Sequence, residues 1–406
     1  MDKFLIIADD FTGANDTGVQ LRKRGMKTDV VFEFTSIQEK EKEKCYVIDT
    51  ESRGLSPEEA YKIVELKIKD AFENEFNYVY KKVDSTLRGN IASEIKAVDK
   101  YYNADFIIFA PAYPDSKRTT LDGIQKINKI PITETEIAKD PMKPVQIDNI
   151  NLLLKGEFEE EVTHVYLKEI RENTMDLSKG RIFTFDSETN EDLMSIVREI
   201  ISHSKKVLWV GSAGLADSIL KVKMPTKPSI AVIGSISEVS RKQLHYAKSK
   251  GINIINVDIE SILKSKNTVK IVEDALEKIN KGLDVIIAST YERDDYERAI
   301  KTGESLGYSR EDVSIFTQNV LGEITQKIMK QSKISGLFLT GGDTAIGVIK
   351  KLGVSGASIK QELMTGIPLM TLYGGENQGL NVITKAGAFG EENAIEYCMK
   401  KLKEGI

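Results

Sequence analysis

Residues 4–16 read FLIIADDFTGAND: five apolar residues run directly into Asp9 and Asp10 and then a Thr-Gly turn. A helix-period segment, residues 12–25 (TGANDTGVQLRKRG), follows. A short apolar strand, an acidic turn and a helix are the opening of a parallel sheet covered on both faces. The pattern recurs outward from this stretch. Residues 45–54 (CYVIDTESRG) precede the helix-like 56–72, and 78–89 (YVYKKVDSTLRG) precede 90–102. FIIFAPAYP (106–114), RIFTFDSE (181–188) and VLWVGSAG (207–214) continue the series. Ser56-Pro57-Glu58-Glu59 is a helix start with a cap, a first-position proline and acids against the dipole.

Residues 221–228, KVKMPTKP, hold two of the nine prolines and few apolar groups, and they read as a linker. Beyond them the alternation restarts with SIAVIGSIS (229–237), INIINVDI (252–259), DVIIAST (284–290) and GLFLTGGDT (336–344). A glycine-dense stretch, 364–390, precedes a closing helix. The expected architecture is two α/β domains with mainly parallel sheets, residues 1–222 and 228–406. Residues 130–180 follow no period and stay unassigned.

A chain of 406 residues suits two domains, and 41% hydrophobic with 29% charged residues is the composition of a soluble globular protein. Its net charge of -5 excludes a general nucleic-acid or membrane-surface binder while allowing a local basic pocket. The apolar run at 4–8 is too short for a signal peptide, and no stretch is long enough to span a bilayer. Cys45 and Cys398 lie far apart and read as free thiols of a reducing compartment, so a cytoplasmic location is expected. The three histidines form no cluster, which argues against a zinc enzyme or a histidine-centred hydrolase.

Ligands of open parallel sheets bind beyond the carboxyl ends of the strands. At the first strand end, Asp9 and Asp10 suit a sugar hydroxyl, Mg²⁺ through water, or proton removal. A helix-capping turn with solvated acids is the alternative, and it is the favoured reading of such a pair in isolation. Lys81 and Lys82 alternate to opposite faces, so one of them can be solvated. The other, with Asp84, Ser85 and Arg88, fits a polyhydroxylated carboxylate, and Arg53 ends the neighbouring strand. A structural ion-pair cluster is the alternative. Arg118-Thr119-Thr120 offers further donors on the 110–123 loop. In the second half, Gly341-Gly342-Asp343-Thr344 opens a helix after an apolar strand, a geometry that suits phosphate. Gly234-Ser235-Ile236-Ser237 repeats the design, and Gly374, Gly375, Gly379, Gly387 and Gly390 add close-approach backbone. There is no GxxxxGK[ST], no protein-kinase signature and no GxGxxG after the first strand. The last absence disfavours a dinucleotide dehydrogenase.

Taken together, IADDFTGANDTG, DTESRGLSPEEA, KKVDSTLRGN, APAYPDSKRTTLDG, VGSAGLA, FLTGGDTA and ITKAGAFG resemble the four-carbon acid sugar kinase family. The match is collinear from residue 6 to about 395. It implies a sugar-acid-binding N-terminal domain, a nucleotide-binding C-terminal domain and an active site in the interdomain cleft. It further implies transfer of the ATP γ-phosphate, with Mg²⁺, to the terminal (4-) hydroxyl of a tetronate. The KKVDSTLRGN form is similar to D-threonate kinases, with D-erythronate and 3-oxo-tetronate kinases as alternatives. By the same resemblance Asp10, Arg53, Lys81, Lys82, Asp84 and Ser85 are the substrate residues. Ser235, Ser237, Gly341, Gly342, Asp343, Thr344 and Gly375 are the ATP residues. Asp10 is the first choice of base and Asp84 the second, the metal ligands stay open, and a homo-oligomer is compatible. Ile236, where the family has cysteine, and Ala388, where it commonly has glycine, depart from the pattern. A non-catalytic sugar-acid sensor is the rival of a different class.

Overall fold

The computed structural model describes residues 2–34, 44–141 and 143–404. The chain divides into two compact units, Met1–Pro225 and Thr226–Glu404. In chain order the strands of the first are β1 (Phe4–Ala8), β2 (Thr28–Val31), β3 (Cys45–Asp49), β4 (Tyr78–Lys82) and β5 (Phe106–Ala110). They continue with β6 (Arg118–Leu121), β7 (Ile124–Ile127), β8 (Ile130–Pro131), β9 (Val162–Val165), β10 (Ile182–Phe185) and β11 (Val207–Gly211). The large sheet has the order β2-β3-β1-β4-β11-β5-β10-β9, and every pairing in it is parallel.

Strands β1, β3, β5 and β11 are buried throughout because each face of the sheet carries helices. Leu5, Ile7 and Ile48 pack with Ile95 and Val98 of the helix Ile91–Tyr102. On the other face Phe4, Ile6 and Val47 meet Leu21 of the helix Phe11–Lys23 and Leu215 of Ala213–Lys223. Each such side chain stabilises the fold by about 1.5–3 kcal/mol through burial. The expected cap at Ser56 is present at the start of the helix Pro57–Ile68, where it forms a capping box with Glu59.

Residues 118–131 form a small antiparallel sheet, β6-β7-β8, whose last strand opens the unassigned region 130–180; short helices and β9 make up the rest of that region. Long-range hydrogen bonds hold it in place. Gln125 in β7 is fully buried, donates to the Ser85 carbonyl (2.7 Å) and accepts from Thr120 (2.6 Å). Asp186, beyond β10, accepts the N–H groups of Asp122, Gly123 and Leu167. No pattern along the chain foretells partners so distant.

The second unit contains β12 (Ser229–Ile233), β13 (Asn253–Asn256), β14 (Val285–Ala288), β15 (Gly336–Thr340), β16 (Gly356–Met364), β17 (Ile367–Tyr373) and β18 (Asn381–Lys385). Their order is β13-β14-β12-β15-β18-β17-β16. The first five are parallel, whereas at one side β17 runs antiparallel to β18 and β16 antiparallel to β17. Both units are thus α/β with mainly parallel sheets, as the alternation predicts. Among the described residues no helix is long and apolar enough to cross a membrane.

Candidate active site

Register brings the first cluster together. Ala8, the last residue of β1, is level with Asp49 of β3 and Lys82 of β4. The turns that follow these three strands therefore emerge side by side in the middle of the carboxyl edge. Asp9 is 2% exposed and accepts from Arg53 Nε (2.8 Å) and Nη2 (3.0 Å). Arg53 Nη1 donates to Asp10 Oδ2 (2.6 Å), while Asp10 Oδ1 accepts from the Gly13 N–H (2.8 Å) and caps the first helix. Asp10 is therefore a cap and a member of a charged cluster at once. Burial pulls the Arg53 guanidinium down, but Asp9, Asp84 and Asp10 outweigh it and the group is held charged.

Neither lysine of the KKVDS turn is solvated, contrary to the expectation from alternation. Lys81 is fully buried in an ion pair with Glu94 (2.7 Å) and also donates to the Lys82 carbonyl (3.0 Å). Burial raises the Glu94 carboxyl, and Lys81 opposes that rise. Both faces of the sheet carry helices, so alternation sends Lys81 inward as well. Lys82 is 6% exposed and donates to the Val83 carbonyl (3.0 Å), with no carboxylate in ion-pair contact among the described residues. Burial lowers the Lys82 ammonium, with Asp9, Asp84 and Asp16 opposing it at longer range. Asp84 accepts from Arg88 Nε (2.5 Å) and from Thr86. Burial alone would raise its carboxyl, but these bonds hold it below the usual range. Ser85 is buried in the same turn. Arg118, the first residue of β6, has a buried Nε without a hydrogen-bond partner among the described residues.

In the second unit β12, β15 and β18 end level with one another, at Ile233, Thr340 and Lys385. Gly234 has to be glycine, because a Cβ there would lie 1.9 Å from Thr344 Oγ1. Gly341 has φ 95° and turns the chain into the helix Gly342–Lys351. Ser237 caps the helix Glu238–Ser249 through the Ser240 N–H (3.1 Å), and its hydroxyl donates to the Gly387 carbonyl (2.6 Å). A Cβ on Gly387 would come 2.2 Å from Ser235 Oγ. Ser235, Ser237, Gly341 to Thr344 and Gly387 therefore form one edge cluster. Beside it lies a pocket of about 180 Å³ lined by Gly234 and Thr344 and by Ile259, Tyr296, Ala299 and Val313. Whole-ligand pockets usually measure about 300–1,000 Å³, so this one suits part of a ligand.

Gly375 does not join that cluster. It follows β17, which runs antiparallel, so it lies at the opposite edge of the sheet. Asp9 and Gly387, strand-end candidates that the family resemblance did not assign, and Glu94, which the sequence did not single out, also belong to the two clusters. Asp9 and Gly387 sit within quoted motifs, whereas nothing local marks Glu94. Among the described residues no group of three or more His, Cys, Asp or Glu is arranged to hold a metal.

Two clusters therefore lie at carboxyl edges, one of paired charges in the first unit and one of glycine and serine turns in the second. A sugar-binding N-terminal domain signature matches residues 4–219, and a nucleotide-binding C-terminal domain signature matches residues 230–395. The chain is 32% identical to D-threonate kinase of Salmonella typhimurium, over 97% of this chain and 96% of that one. It is 26% identical to D-erythronate kinase of Heliobacterium modesticaldum, over 99% and 97%. A crystal structure from Bordetella bronchiseptica is also similar, with a TM-score of 0.66 and 25% identity over 99% of this chain and 98% of that one. It is described as a domain of unknown function with bound citrate, in a domain-swapped dimer. The chain belongs to the four-carbon acid sugar kinase family and is a kinase.

Proposed function

We propose that the protein transfers the γ-phosphate of ATP, with Mg²⁺, to the terminal (4-) hydroxyl of D-threonate. The observation that carries the acid specificity is Lys82, a buried ammonium with no carboxylate in ion-pair contact among the described residues, near Asp9, Asp84 and Asp16. An incoming carboxylate would satisfy it by a charge-assisted hydrogen bond. The guanidinium of Arg53 is engaged by Asp9 and Asp10, so its part is to orient both carboxylates rather than to clamp the acid alone. Asp10 accepts the hydroxyl proton late in transfer. Asp84, drawn below the usual carboxylate range, orients a hydroxyl and is the second choice of base.

Nucleotide phosphates would lie against the turns at Ser235, Ser237, Gly341 to Thr344 and Gly387, with the base in the adjoining pocket. Nothing of the protein stands within 4 Å of a Cβ built on Gly342, so a phosphate has room there. Mg²⁺ neutralises charge on the transferring phosphoryl group when bound, and Asp343 is the carboxylate this turn offers it. ATP consumption screened over D-threonate, D-erythronate and 3-oxo-tetronate, with the product located by NMR, tests the assignment. D-threonate should give the highest kcat/KM and a 4-phosphate. Turnover of none of the three would sink it.

A further inference from the structure

The charged side chain of the ITKAGAFG stretch is Lys385. Lys385 ends β18 level with Thr340 of β15, one strand from the Gly341 turn. It is 3% exposed. Its ammonium donates to the carbonyls of Ala386 (3.1 Å) and Gly387 (3.0 Å) and lies 3.4 Å from Ser240 Oγ. All three acceptors are neutral, and among the described residues no carboxylate is in ion-pair contact with it. A buried cation without a counter-ion is costly to keep, and such charges are ordinarily paired.

The Gly387 carbonyl also accepts from Ser237 Oγ (2.6 Å) and Ser240 Oγ (3.0 Å). Three donors from two elements therefore converge on one oxygen. Since the peptide is planar and trans, pinning that carbonyl turns the next N–H, of Ala388, the opposite way. Ala388 to Gly390 are exposed. The result is a loop whose backbone dipole is fixed from behind by a full positive charge, an arrangement suited to an anion.

We propose that Lys385 is a positioning residue of the nucleotide site, orienting the Gly387 loop and supplying the buried positive charge that the phosphates of a nucleoside di- or triphosphate meet. This rests on the nucleotide assignment of the glycine and serine turns. It makes nucleotide affinity depend on pH. Burial draws the Lys385 ammonium down to about 8, while Cys398 acts to raise it. The groups facing it are Cys398, whose thiol burial pushes up to about 12, and the neutral Ser237 and Ser240. Phosphate favours the charged form. Affinity is thus full below about pH 8 and falls as pH rises through that value, by at most about tenfold per unit.

Calorimetric titration with ADP, whose phosphates are already ionised at pH 7.5, tests this between pH 7.5 and 9.5. The unmodified protein should lose affinity on the order of tenfold over that range. Lys385→Met should bind ADP at least about tenfold more weakly at pH 7.5, with a flat pH profile. Unmodified affinity in Lys385→Met, or a flat profile in the unmodified protein, overturns the role of Lys385. The second arm needs no variant, so it decides even if Lys385→Met does not fold. Failure of the unmodified protein to bind ADP at any pH would instead overturn the nucleotide assignment, and this inference with it.

Discussion

Lys81 and Lys82 are adjacent, and strand alternation sends their ammonium groups to opposite sides of β4. One meets Glu94 on the helix Ile91–Tyr102, while the other lies near Asp9 and Asp84 without an ion pair among the described residues. Their variants should therefore fail differently. Lys82→Met removes a buried, uncompensated cation, so thermal stability should hold or rise. KM for the sugar acid should increase about 10-fold or more, since a charge-assisted hydrogen bond contributes about 1.5–3 kcal/mol. Lys81→Met strands Glu94, which typically costs about 3–5 kcal/mol. Lys81→Met with Glu94→Leu should recover much of that stability, because replacing a buried pair by apolar groups is often neutral. Unfolding curves and KM measured on the three proteins check this. A Lys82→Met enzyme with normal KM would remove Lys82 from the acid site.

Among the turns of the second sheet, the glycines differ in what stands before them. A Cβ on Gly234 would meet Thr344 Oγ1 at 1.9 Å, whereas nothing lies within 4 Å of one on Gly342. Gly234→Val should therefore lower the melting temperature, because two turns would have to separate. Gly342→Val should melt within a few degrees of the parent, yet bind ADP about tenfold or more weakly, since its side chain fills space left for phosphate. Gly375→Val forms the control at the opposite edge, where a Cβ would come 2.5 Å from the Gly353 carbonyl. It should lose stability without a selective loss of ADP affinity in the folded fraction. Differential scanning fluorimetry beside ADP titration separates the three. Normal ADP affinity in Gly342→Val would make the GGDT turn merely structural.

Each unit of the molecule has its own apolar cores on the two faces of its own sheet. Residues 226–404 expressed without the first unit should then fold cooperatively and bind ADP but not D-threonate. Residues 1–225 should do the reverse. Neither should transfer phosphate. Circular dichroism melts and calorimetry on the two fragments check this, and a second unit that folds but ignores ADP would contradict the division of labour.

The alternation of FLIIA, CYVID, FIIFA and VLWVG with helical segments made the two α/β units legible, because a strand buried on both faces is an apolar run wherever it occurs. Strands that lacked this signal were not legible. Strand β2 is half-buried, and most of β16 is exposed. The β6-β7-β8 sheet depends on Gln125 and Asp186, whose partners are distant in the chain. Motif residues named most of both clusters, since strand-end turns are local. Which lysine is paired, what Arg53 holds and on which edge Gly375 lies were not legible, because those follow from strand register and direction. Periodicity is a property of neighbours along the chain and survives in the sequence. The state of a charge depends on which groups meet across strands, and only the folded sheet brings them together.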